Sequence, residues 1–340
     1  MSSKMTLGLV VFETTDACNQ RCKFCYNHWK AEGDTSADAP DFRLARRTLR
    51  RLLSQATVEQ ISMSGGEPLL MPRLHDLVWT ARWAGASVNL LTNGTMMTPD
   101  TLAIMNDLGV ERIQIPILAD NPTLHDSITG LAGSWKRCMT TARRAADTRQ
   151  GWLTPVFILS RLNREHITPT LELYKSLGCE QAMFNRFNIG GLGICHAREL
   201  MLSNAELREA FAEASRAAVD RRMILFNGVC SPMCVLNPDD YPCVVFSHCN
   251  TDIRNRPLTV NYRGDVRFCN HSPRVLGNIY KNHIAEILDA THLSNHYGGV
   301  PEHCATCKLW DVCRGGCRAA SEQLYGTFDR VDPIVTECEG

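Results

Sequence analysis

Apolar runs and amphipathic stretches alternate along the first half of the chain. Runs rich in β-branched and apolar residues predict six strands, and five stretches of helical periodicity separate them. Strands and helices in this order are typical of βα units around a parallel sheet. Six units are too few for a closed eightfold barrel, so we predict an α/β fold, a partial (β/α)6 barrel of the TIM type. The strands are Leu7–Thr14, Val58–Ser64, Ser87–Thr92, Arg112–Leu118, Trp152–Ser160 and Gln181–Phe187, and the helices lie near 42–55, 72–84, 99–108, 134–149 and 166–177.

A long helix and a change of composition end this half. The helix is predicted over Ser203–Arg222, with Ser203 or Asn204 as its N-cap and Glu206 near the capping-box position. Beyond about residue 228, Pro, Asn, Asp and Cys become frequent and the helical periodicity weakens. We therefore predict a domain boundary at this point.

The predicted domains are a barrel over residues 1–228 and a small cysteine-rich domain over residues 229–340. In the second domain, Leu258–Tyr262 and Asp265–Cys269 flank Arg263–Gly264, which is typical of a β-hairpin. Few apolar runs are available there to build a core. We expect short helices and bound metal clusters to complete and stabilise this domain.

Charge and hydropathy exclude several classes of protein. The chain of 340 residues has 36 Lys plus Arg and 36 Asp plus Glu, so its formal net charge is zero. A dedicated nucleic-acid-binding protein is expected to have an excess of basic residues, which this chain lacks. The apolar stretch before Glu13 is too short to span a membrane and has no cleavage site. We predict a cytoplasmic protein without nucleic-acid or membrane partners.

The chain is rich in cysteine, with sixteen in all. In a chain of this size with no export signal, thiols are expected to stay reduced and to bind metal rather than to form disulfides. Three of them lie within residues 18–25, and ten lie between residues 230 and 338. Two metal-binding ends are therefore predicted to flank a cysteine-poor middle.

Cys18, Cys22 and Cys25 form a CxxxCxxC triplet directly after the first predicted strand. Loops at the carboxyl ends of parallel strands carry the chemistry of β/α folds. Three closely spaced thiolates can hold three irons of a [4Fe–4S] cube and leave the fourth iron open to an exchangeable ligand. A zinc knuckle completed by His28 is the alternative interpretation.

This triplet resembles the signature of the radical S-adenosylmethionine (SAM) superfamily. The resemblance implies that the cluster binds SAM, cleaves it reductively to a 5′-deoxyadenosyl radical and so abstracts a hydrogen from the substrate. Phe24 matches an aromatic residue near the adenine in that family. Gly65, Gly66, Glu67 and Pro68 match its motif for the SAM amino group, and their sequence alone is that of a turn.

Later strands match the family less fully. Asn93, in Leu91–Gly94, corresponds to a sequence that faces the cofactor in relatives, although an ordinary Asn-Gly turn is the alternative. Where relatives read SLDG, this chain has a segment with Pro116, which leaves Gln114 as the polar contact. The glycine-rich segment 188–193 is predicted to be a loop over the barrel mouth rather than a phosphate-binding loop. The positions matching contacts to the SAM carboxylate and ribose are Ser160, Arg161 and Asn163.

Seven cysteines follow an ordered spacing in the C-terminal region. Cys249-x14-Gly264-x4-Cys269 is followed by a CxxCx5Cx3C motif and a final cysteine. This spacing resembles the SPASM domain of peptide and protein maturases, with a zinc ribbon as the alternative, and implies two auxiliary [4Fe–4S] clusters. The implied ligands are Cys249, Cys269, Cys317 and either Cys243 or Cys234 for the first cluster, and Cys304, Cys307, Cys313 and Cys338 for the second.

His271 is the candidate general base near these cysteines. Sulfatase maturases have an Asp after the cysteine that matches Cys269, whereas this chain has Asn270, whose amide cannot accept a proton. An imidazole titrates near neutrality and can take that role. A structural histidine is the alternative interpretation.

These features predict a radical SAM oxidoreductase with SAM and three [4Fe–4S] clusters as cofactors. Its predicted substrate is a side chain of a ribosomally made peptide or protein, as in natural product biosynthesis. The alternatives are dehydrogenation, epimerisation or decarboxylation of a small molecule such as an aminocyclitol, sugar or porphyrin, and a non-enzymatic iron–sulfur electron-transfer module. Expected partners are an electron donor such as flavodoxin or ferredoxin and, because the first strand begins by about residue 7, a separate leader-peptide-binding protein.

Overall fold

The computed structural model describes residues 4–30, 39–250, 256–289 and 299–336. The chain divides into two compact units, each formed by separate stretches of sequence. The first contains Met1–Asn19, Asp34–Gln114 and Asn250–Gly298, and the second contains Gln20–Gly33, Ile115–Cys249 and Gly299–Gly340. Both units include residues from either side of position 228, and the domain boundary at that position stays a prediction.

The first unit is built on a parallel sheet. Its elements are β1 (Met5–Glu13), α1 (Phe42–Gln55), β2 (Ala56–Ser64), α2 (Leu74–Trp83), β3 (Ser87–Leu91), α3 (Pro99–Asp107) and the start of β4 (Arg112–Pro116). The strands β1, β2, β3 and β4 pair in parallel in that order. Helix α1 illustrates why the pattern predicts the fold, because it buries Ala45, Leu49 and Leu52 at helical spacing and begins at the N-cap Asp41.

The second unit continues the alternation of helices and parallel strands. Its elements are α4 (Pro122–Thr129), α5 (Ser134–Thr148), β5 (Leu153–Leu159), α6 (Ile167–Ser176), β6 (Gln181–Arg186), α7 (Ala197–Leu200), α8 (Asn204–Arg221), β7 (Ile224–Asn227) and β8 (Val244–Phe246). The strands β5 to β8 pair in parallel in sequence order. Aromatic side chains fill the core between this sheet and α8, with the Phe184 ring 5.3 Å from Phe157 and 5.1 Å from Phe211.

A β-hairpin from the C-terminal part of the chain extends the sheet of the first unit. Strands β9 (Leu258–Asn261) and β10 (Asp265–Arg267) pair antiparallel, as predicted, and β11 (Val275–Asn278) pairs with β10. Strand β9 lies parallel to β1. A helical turn, α9 (Ile284–Ile287), follows in the same unit. The predicted small domain therefore contributes its hairpin directly to the sheet that begins with β1.

Three short helices complete the second unit, namely α10 (Trp310–Cys313), α11 (Arg318–Tyr325) and α12 (Pro333–Thr336). The predicted strands and helices are all present, with ends shifted by at most two residues. The capping box of Ser203 and Glu206 before α8 is also confirmed. The sequence did not predict α4, α7, β7, β8 or β11, of which the strands are only three or four residues long. No helix in the described part of the chain is long and apolar enough to cross a membrane.

Candidate cluster and cofactor sites

The segment that leads from β1 to Cys18 lies against the turn that follows β2. The Gly66 N–H donates to the Thr15 carbonyl and the Glu67 N–H donates to the Ala17 carbonyl, both at 2.7 Å. A Cβ atom on Gly66 would lie 2.1 Å from the Ala17 oxygen. Glycine is therefore needed here because two backbones touch. The predicted approach of this turn to SAM itself stays a prediction.

The Glu67 carboxylate joins this turn to the loop after β3. The side chain is 1% exposed and accepts hydrogen bonds from the Leu69 N–H at 3.0 Å, the Thr92 hydroxyl at 2.6 Å and the Asn93 N–H at 2.8 Å. A buried carboxylate is stable only when donors satisfy its oxygens. Glu67 therefore acts as a positioning residue for the loop that carries Asn93.

Asn93 reaches from this loop to the residue that follows Cys18. Its amide Nδ2 donates to Asn19 Oδ1 at 2.7 Å, and Asn19 Nδ2 donates to the Thr95 hydroxyl at 2.9 Å. The loops after β1, β2 and β3 are thus one hydrogen-bonded group beside Cys18. The sequence analysis missed Asn19, whose place directly after a predicted ligand was the available signal.

In the second unit, the end of α4 holds the Cys22 segment. The Arg21 N–H donates to the Thr129 carbonyl at 3.1 Å, and the Lys23 N–H donates to the Ile128 carbonyl at 2.9 Å. These two bonds fix the backbone on either side of Cys22. Helix α4 was absent from the sequence analysis, so this support for the predicted ligand was missed as well.

The glycine-rich segment supports the Cys25 backbone. It contains a 3-10 helix, Gly191–Ile194, where the sequence predicted a loop over the barrel mouth. The Gly193 N–H donates to the Cys25 carbonyl at 3.1 Å. Gln323 joins both sides, because its Oε1 accepts from the Gly191 N–H at 2.7 Å and its Nε2 donates to the Tyr26 carbonyl at 3.1 Å. The segment thus positions the third cysteine of the triplet.

Asn163 and Ser160 are buried at the end of β5. Asn163 Oδ1 accepts from the Ser160 N–H at 2.8 Å, while Asn163 Nδ2 donates to the Leu118 and Ile158 carbonyls, each at 2.9 Å. The amide therefore closes the end of the strand with both its oxygen and its nitrogen. Contacts of Ser160 and Asn163 with SAM stay predictions.

The other predicted SAM contacts are more accessible. Phe24 and Gln114 are half-buried, and the Gln114 carbonyl accepts from the Thr92 N–H at 3.0 Å. Arg161 is exposed, and its guanidinium donates to the Arg198 carbonyl at 3.1 Å. Their contacts with the cofactor stay predictions.

Two ion pairs join the hairpin to the segment that leads to Cys18. Arg267, at the end of β10, pairs with Glu13, at the end of β1, and each side chain is at most 3% exposed. Arg263, in the hairpin turn, pairs with Asp16. The chain beside the predicted ligand Cys269 is thus tied to the chain beside Cys18. His271, two residues beyond Cys269, is half-buried, and its catalytic role stays a prediction.

Cys317 lies in a buried polar network at the start of α11. Asn188 Nδ2 lies 3.2 Å from the Cys317 sulfur, and the Cys317 N–H donates to Asp332 Oδ2 at 2.7 Å. Asp332 also pairs with Arg186, and both side chains are at most 2% exposed. These contacts fix both the backbone and the sulfur of a predicted cluster ligand.

Three cysteines of the second predicted set lie near one another, and Cys234 lies with them. Burial raises the pKa of the Cys304 thiol, and the neighbouring thiols of Cys313 and Cys307 raise it further. Partial burial of its sulfur raises the pKa of Cys234 to about 11, with further increments from Cys313, Cys304 and Cys307. Cys338 lies outside the described residues.

The remaining predicted ligands belong to the first set. Cys243 is exposed, and Cys249 and Cys269 are half-buried. Cys243 has a backbone φ of 67°, which is uncommon for a residue with a side chain. Their joint binding of a cluster stays a prediction from the resemblance.

The cysteine chemistry fits iron–sulfur clusters. The cysteines in the described ranges form no disulfide with one another. Within those same ranges, no three His, Cys, Asp or Glu side chains are grouped closely enough to hold a single metal ion. A cubane distributes its ligands over separate irons and takes thiolates. Burial raises the pKa of the Cys304 thiol and so favours its protonated form in the absence of metal, and bound iron reverses that preference.

Comparisons with protein families agree with the assignment of these cysteines to iron–sulfur clusters. Residues 12–174 match the radical SAM superfamily, and residues 249–317 match the SPASM iron–sulfur cluster-binding domain. The chain is a radical SAM enzyme with a SPASM domain. The predicted enzyme class and the predicted α/β fold with a barrel-like parallel sheet are thereby confirmed, and these domains bind iron–sulfur clusters and SAM.

The radical SAM enzyme is similar in sequence to curated peptide cyclases along almost its whole length. It is 28% identical to the PqqA peptide cyclase of Streptomyces rochei over 334 residues, which cover 95% of this chain and 88% of that protein. Its identity to the PqqA peptide cyclase of Ruegeria pomeroyi is 26% over 336 residues, covering 95% and 86% of the two chains.

Solved structures share the fold of this radical SAM enzyme. Streptococcus suis SuiB bound to the precursor peptide SuiA superposes with a TM-score of 0.71 at 14% identity, covering 100% of this chain and 77% of that one. The structure of anSMEcpe with bound AdoMet gives a TM-score of 0.72 at 15% identity, covering 98% and 95%.

Proposed function

We propose that this radical SAM enzyme modifies a side chain of a ribosomally made peptide. The observation that carries the proposal is the hydrogen-bonded group beside Cys18, in which the turn at Gly66 and the loop at Asn93 are held by Glu67. This arrangement gives the motifs that match SAM-binding positions a common, rigid support. Similarity to PqqA peptide cyclases along 95% of the chain favours a peptide over a small molecule as the substrate.

The proposal includes three [4Fe–4S] clusters. The ligands of the first would be Cys18, Cys22 and Cys25, and the SPASM cysteines would hold two more. Bound SAM and its cluster would supply hydrogen-atom abstraction from an unactivated carbon. The protein would position the reactants and exclude water. Phe24, Gln114, Ser160, Arg161 and Asn163 remain proposed contacts to SAM, and His271 remains the proposed base that accepts a substrate proton.

We also propose a cytoplasmic location and an electron donor such as flavodoxin or ferredoxin. The described cysteines form no disulfides with one another, which supports the proposed reducing compartment. A separate leader-peptide-binding protein is part of the proposed assembly.

The test is anaerobic reconstitution followed by iron analysis and SAM cleavage. We expect about twelve irons per chain, which corresponds to three four-iron cubes, and formation of 5′-deoxyadenosine with a reductant. Cys22→Ala should abolish 5′-deoxyadenosine formation, whereas Cys195→Ala, at an exposed cysteine outside the predicted sets, should not. Retained SAM cleavage in Cys22→Ala would refute the site assignment.

The substrate class is tested with candidate precursor peptides encoded near the gene. We expect one of these peptides to change mass only when SAM and reductant are present, and tandem mass spectrometry to locate the change on a side chain. A mass change in an aminocyclitol or sugar, with every candidate peptide unchanged, would contradict the peptide assignment.

A further inference from the structure

A row of polar side chains crosses the sheet of the first unit. Strand pairing aligns Thr259 of β9 with Val11 of β1, Val11 with Ser62 of β2, and Ser62 with Asn89 of β3. Residues aligned in this way point to the same face of a sheet. We call Thr259, Ser62 and Asn89 the polar row.

The opposite face of these strands is apolar. The neighbouring residues Val10, Ile61 and Val88 are fully buried, as is usual for a face that helices cover. Buried polar side chains cost free energy unless they are hydrogen-bonded. The polar row on the other face therefore calls for a physical explanation.

Two members of the polar row have an oxygen without a partner. Asn89 Oδ1 and Thr259 Oγ1 are enclosed, and neither makes a hydrogen bond within the described part of the chain. Few buried polar groups in native proteins lack a partner, and each one needs a reason. A ligand that supplies the missing hydrogen bond is such a reason.

The members of the row differ in how accessible they are. Ser62 and Asn89 are each 7% exposed, whereas Thr259 is 0% exposed. Exposure increases towards the carboxyl ends of the strands, where Ser64 and Leu91 are half-buried. Two residues of a strand cover about 7 Å, and neighbouring strands lie about 5 Å apart. One group that enters from the strand ends can therefore contact both Ser62 and Asn89.

The chemistry of this pair selects an uncharged polar group. The Ser62 hydroxyl and the Asn89 carboxamide can each donate and accept a hydrogen bond. The Asn89 oxygen needs a donor, which a carboxylate lacks. Arg112, aligned with Asn89 on β4, is exposed and has a partner of its own. A buried ion beside the pair would lose its hydration without a counter-charge, so a hydroxyl or a carboxamide fits best.

We propose that Ser62 and Asn89 bind the hydroxyl or carboxamide end of the substrate side chain that this enzyme modifies. The carbons of that side chain then extend about 7 Å towards the strand ends, where the motifs matched to SAM binding lie. The pair thereby selects which side chain of the peptide is modified. The inference rests on the proposed function, because it requires a peptide substrate.

The first experiment measures the melting temperature of the anaerobically reconstituted chain without peptide. Asn89→Leu removes a buried oxygen that has no partner, so it should be neutral or stabilising. We expect its melting temperature to fall by no more than about 2 °C. A larger fall would show that the amide holds the free protein together, and would overturn the proposal.

The second experiment measures kcat/KM with the precursor peptide that the unaltered enzyme modifies. Ser62→Ala and Asn89→Leu should each lower kcat/KM about three- to tenfold, the loss expected for one hydrogen bond between uncharged groups. Thr259→Val is the matched control, because its hydroxyl also lacks a partner but is enclosed, and it should stay within about twofold. Unaltered kcat/KM in Ser62→Ala and Asn89→Leu, or an equal loss in Thr259→Val, would overturn the proposal.

Slow SAM cleavage without peptide separates this proposal from a role in cofactor binding. We expect Ser62→Ala and Asn89→Leu to form 5′-deoxyadenosine at the unaltered rate when peptide is absent. With peptide, more 5′-deoxyadenosine should form per modified molecule, because the side chain is held less firmly. A slower reaction without peptide would assign the pair to SAM instead and overturn the proposal.

Failure of the proposed function gives a different result. If the unaltered enzyme changed an aminocyclitol or sugar and no candidate peptide, both proposals would fall. If it modified a peptide and both variants did so with unaltered kcat/KM, only the role of Ser62 and Asn89 would fall.

Discussion

Replacing Gly66 by alanine should displace the segment that carries Cys18. The new Cβ would lie 2.1 Å from the Ala17 carbonyl oxygen and 2.6 Å from the Asp16 carbonyl oxygen. Ordinary contacts between carbon and a carbonyl oxygen are about 3.3–3.6 Å. The two backbones must therefore separate by roughly 1 Å or more, and neither can yield by a simple rotation of a side chain.

The magnitude follows from what this separation breaks. Gly66→Ala would weaken the hydrogen bonds that join Gly66 to Thr15 and Glu67 to Ala17, each worth about 1 kcal/mol. Overpacking adds about 1–3 kcal/mol. We therefore expect a loss of about 3–5 kcal/mol from the free energy of unfolding. A shift of about 1 Å next to Cys18 should also lower the rate of SAM cleavage by about 100-fold.

The assay measures thermal unfolding, iron content and the rate of 5′-deoxyadenosine formation. Gly8→Ala, in β1, is the matched control, because its Cβ would meet only Glu59 Oε2 at 3.8 Å, an ordinary contact. We expect this control to cleave SAM within about twofold of the unaltered chain, since surface changes away from special features alter stability by about 0.5 kcal/mol or less. If Gly66→Ala melted and cleaved SAM like Gly8→Ala, the backbone contact would not position Cys18.

Three further predictions concern buried polar groups. Burial lowers the pKa of His125 to about 4. As the pH falls below about 6.5, the unfolded chain therefore binds a proton before the folded chain does. The free energy of unfolding should decline by up to about 1.4 kcal/mol per pH unit towards pH 4. His125→Gln should reduce this slope in thermal melts at pH 5.5 and 7.5, and an unchanged slope would contradict the assignment. Asn188→Leu removes the hydrogen bond to the Cys317 sulfur. For a bond of about 1.4 kcal/mol, the midpoint potential of the cluster bound by Cys317 should fall by roughly 60 mV. A redox titration that gives the unaltered potential would argue against this role. Asp332→Asn leaves the Arg186 charge buried without its partner and should lower the free energy of unfolding, measured by chemical denaturation, by about 3–5 kcal/mol. The double variant Arg186→Leu, Asp332→Leu should recover part of that loss. Equal losses in both variants would refute the ion-pair explanation.

Local pattern was sufficient for most of the secondary structure. The spacing of apolar residues differs between strands and helices. In amphipathic helices such as those at 42–55 and 134–149, that spacing identifies the buried face. The helix α8 was predicted together with its capping box, because that signal lies within four residues. The strands β7, β8 and β11 were missed, since elements of three or four residues contain too little pattern to identify them.

The cysteine spacing also identified the family without reference to the fold. The triplet within eight residues and the ordered C-terminal array can be recognised without knowledge of the tertiary structure. Ligands of one cluster that lie close in sequence are constrained by local chain geometry, so their spacing alone identifies them. The match to the radical SAM and SPASM families confirms that interpretation.

Tertiary structure decided which distant residues became partners. Glu13 and Arg267 are 254 positions apart and pair because β9 lies beside β1. Asn163 closes the end of β5, and Cys234 lies with Cys313 because Met233 and Pro232 pack against the turn that precedes α11. Sequence alone determined the elements, the family and the set of candidate ligands, since these depend on local periodicity and short spacing. The grouping of those ligands depends on how strands pair and how loops pack. Both depend on contacts between residues that are far apart in sequence.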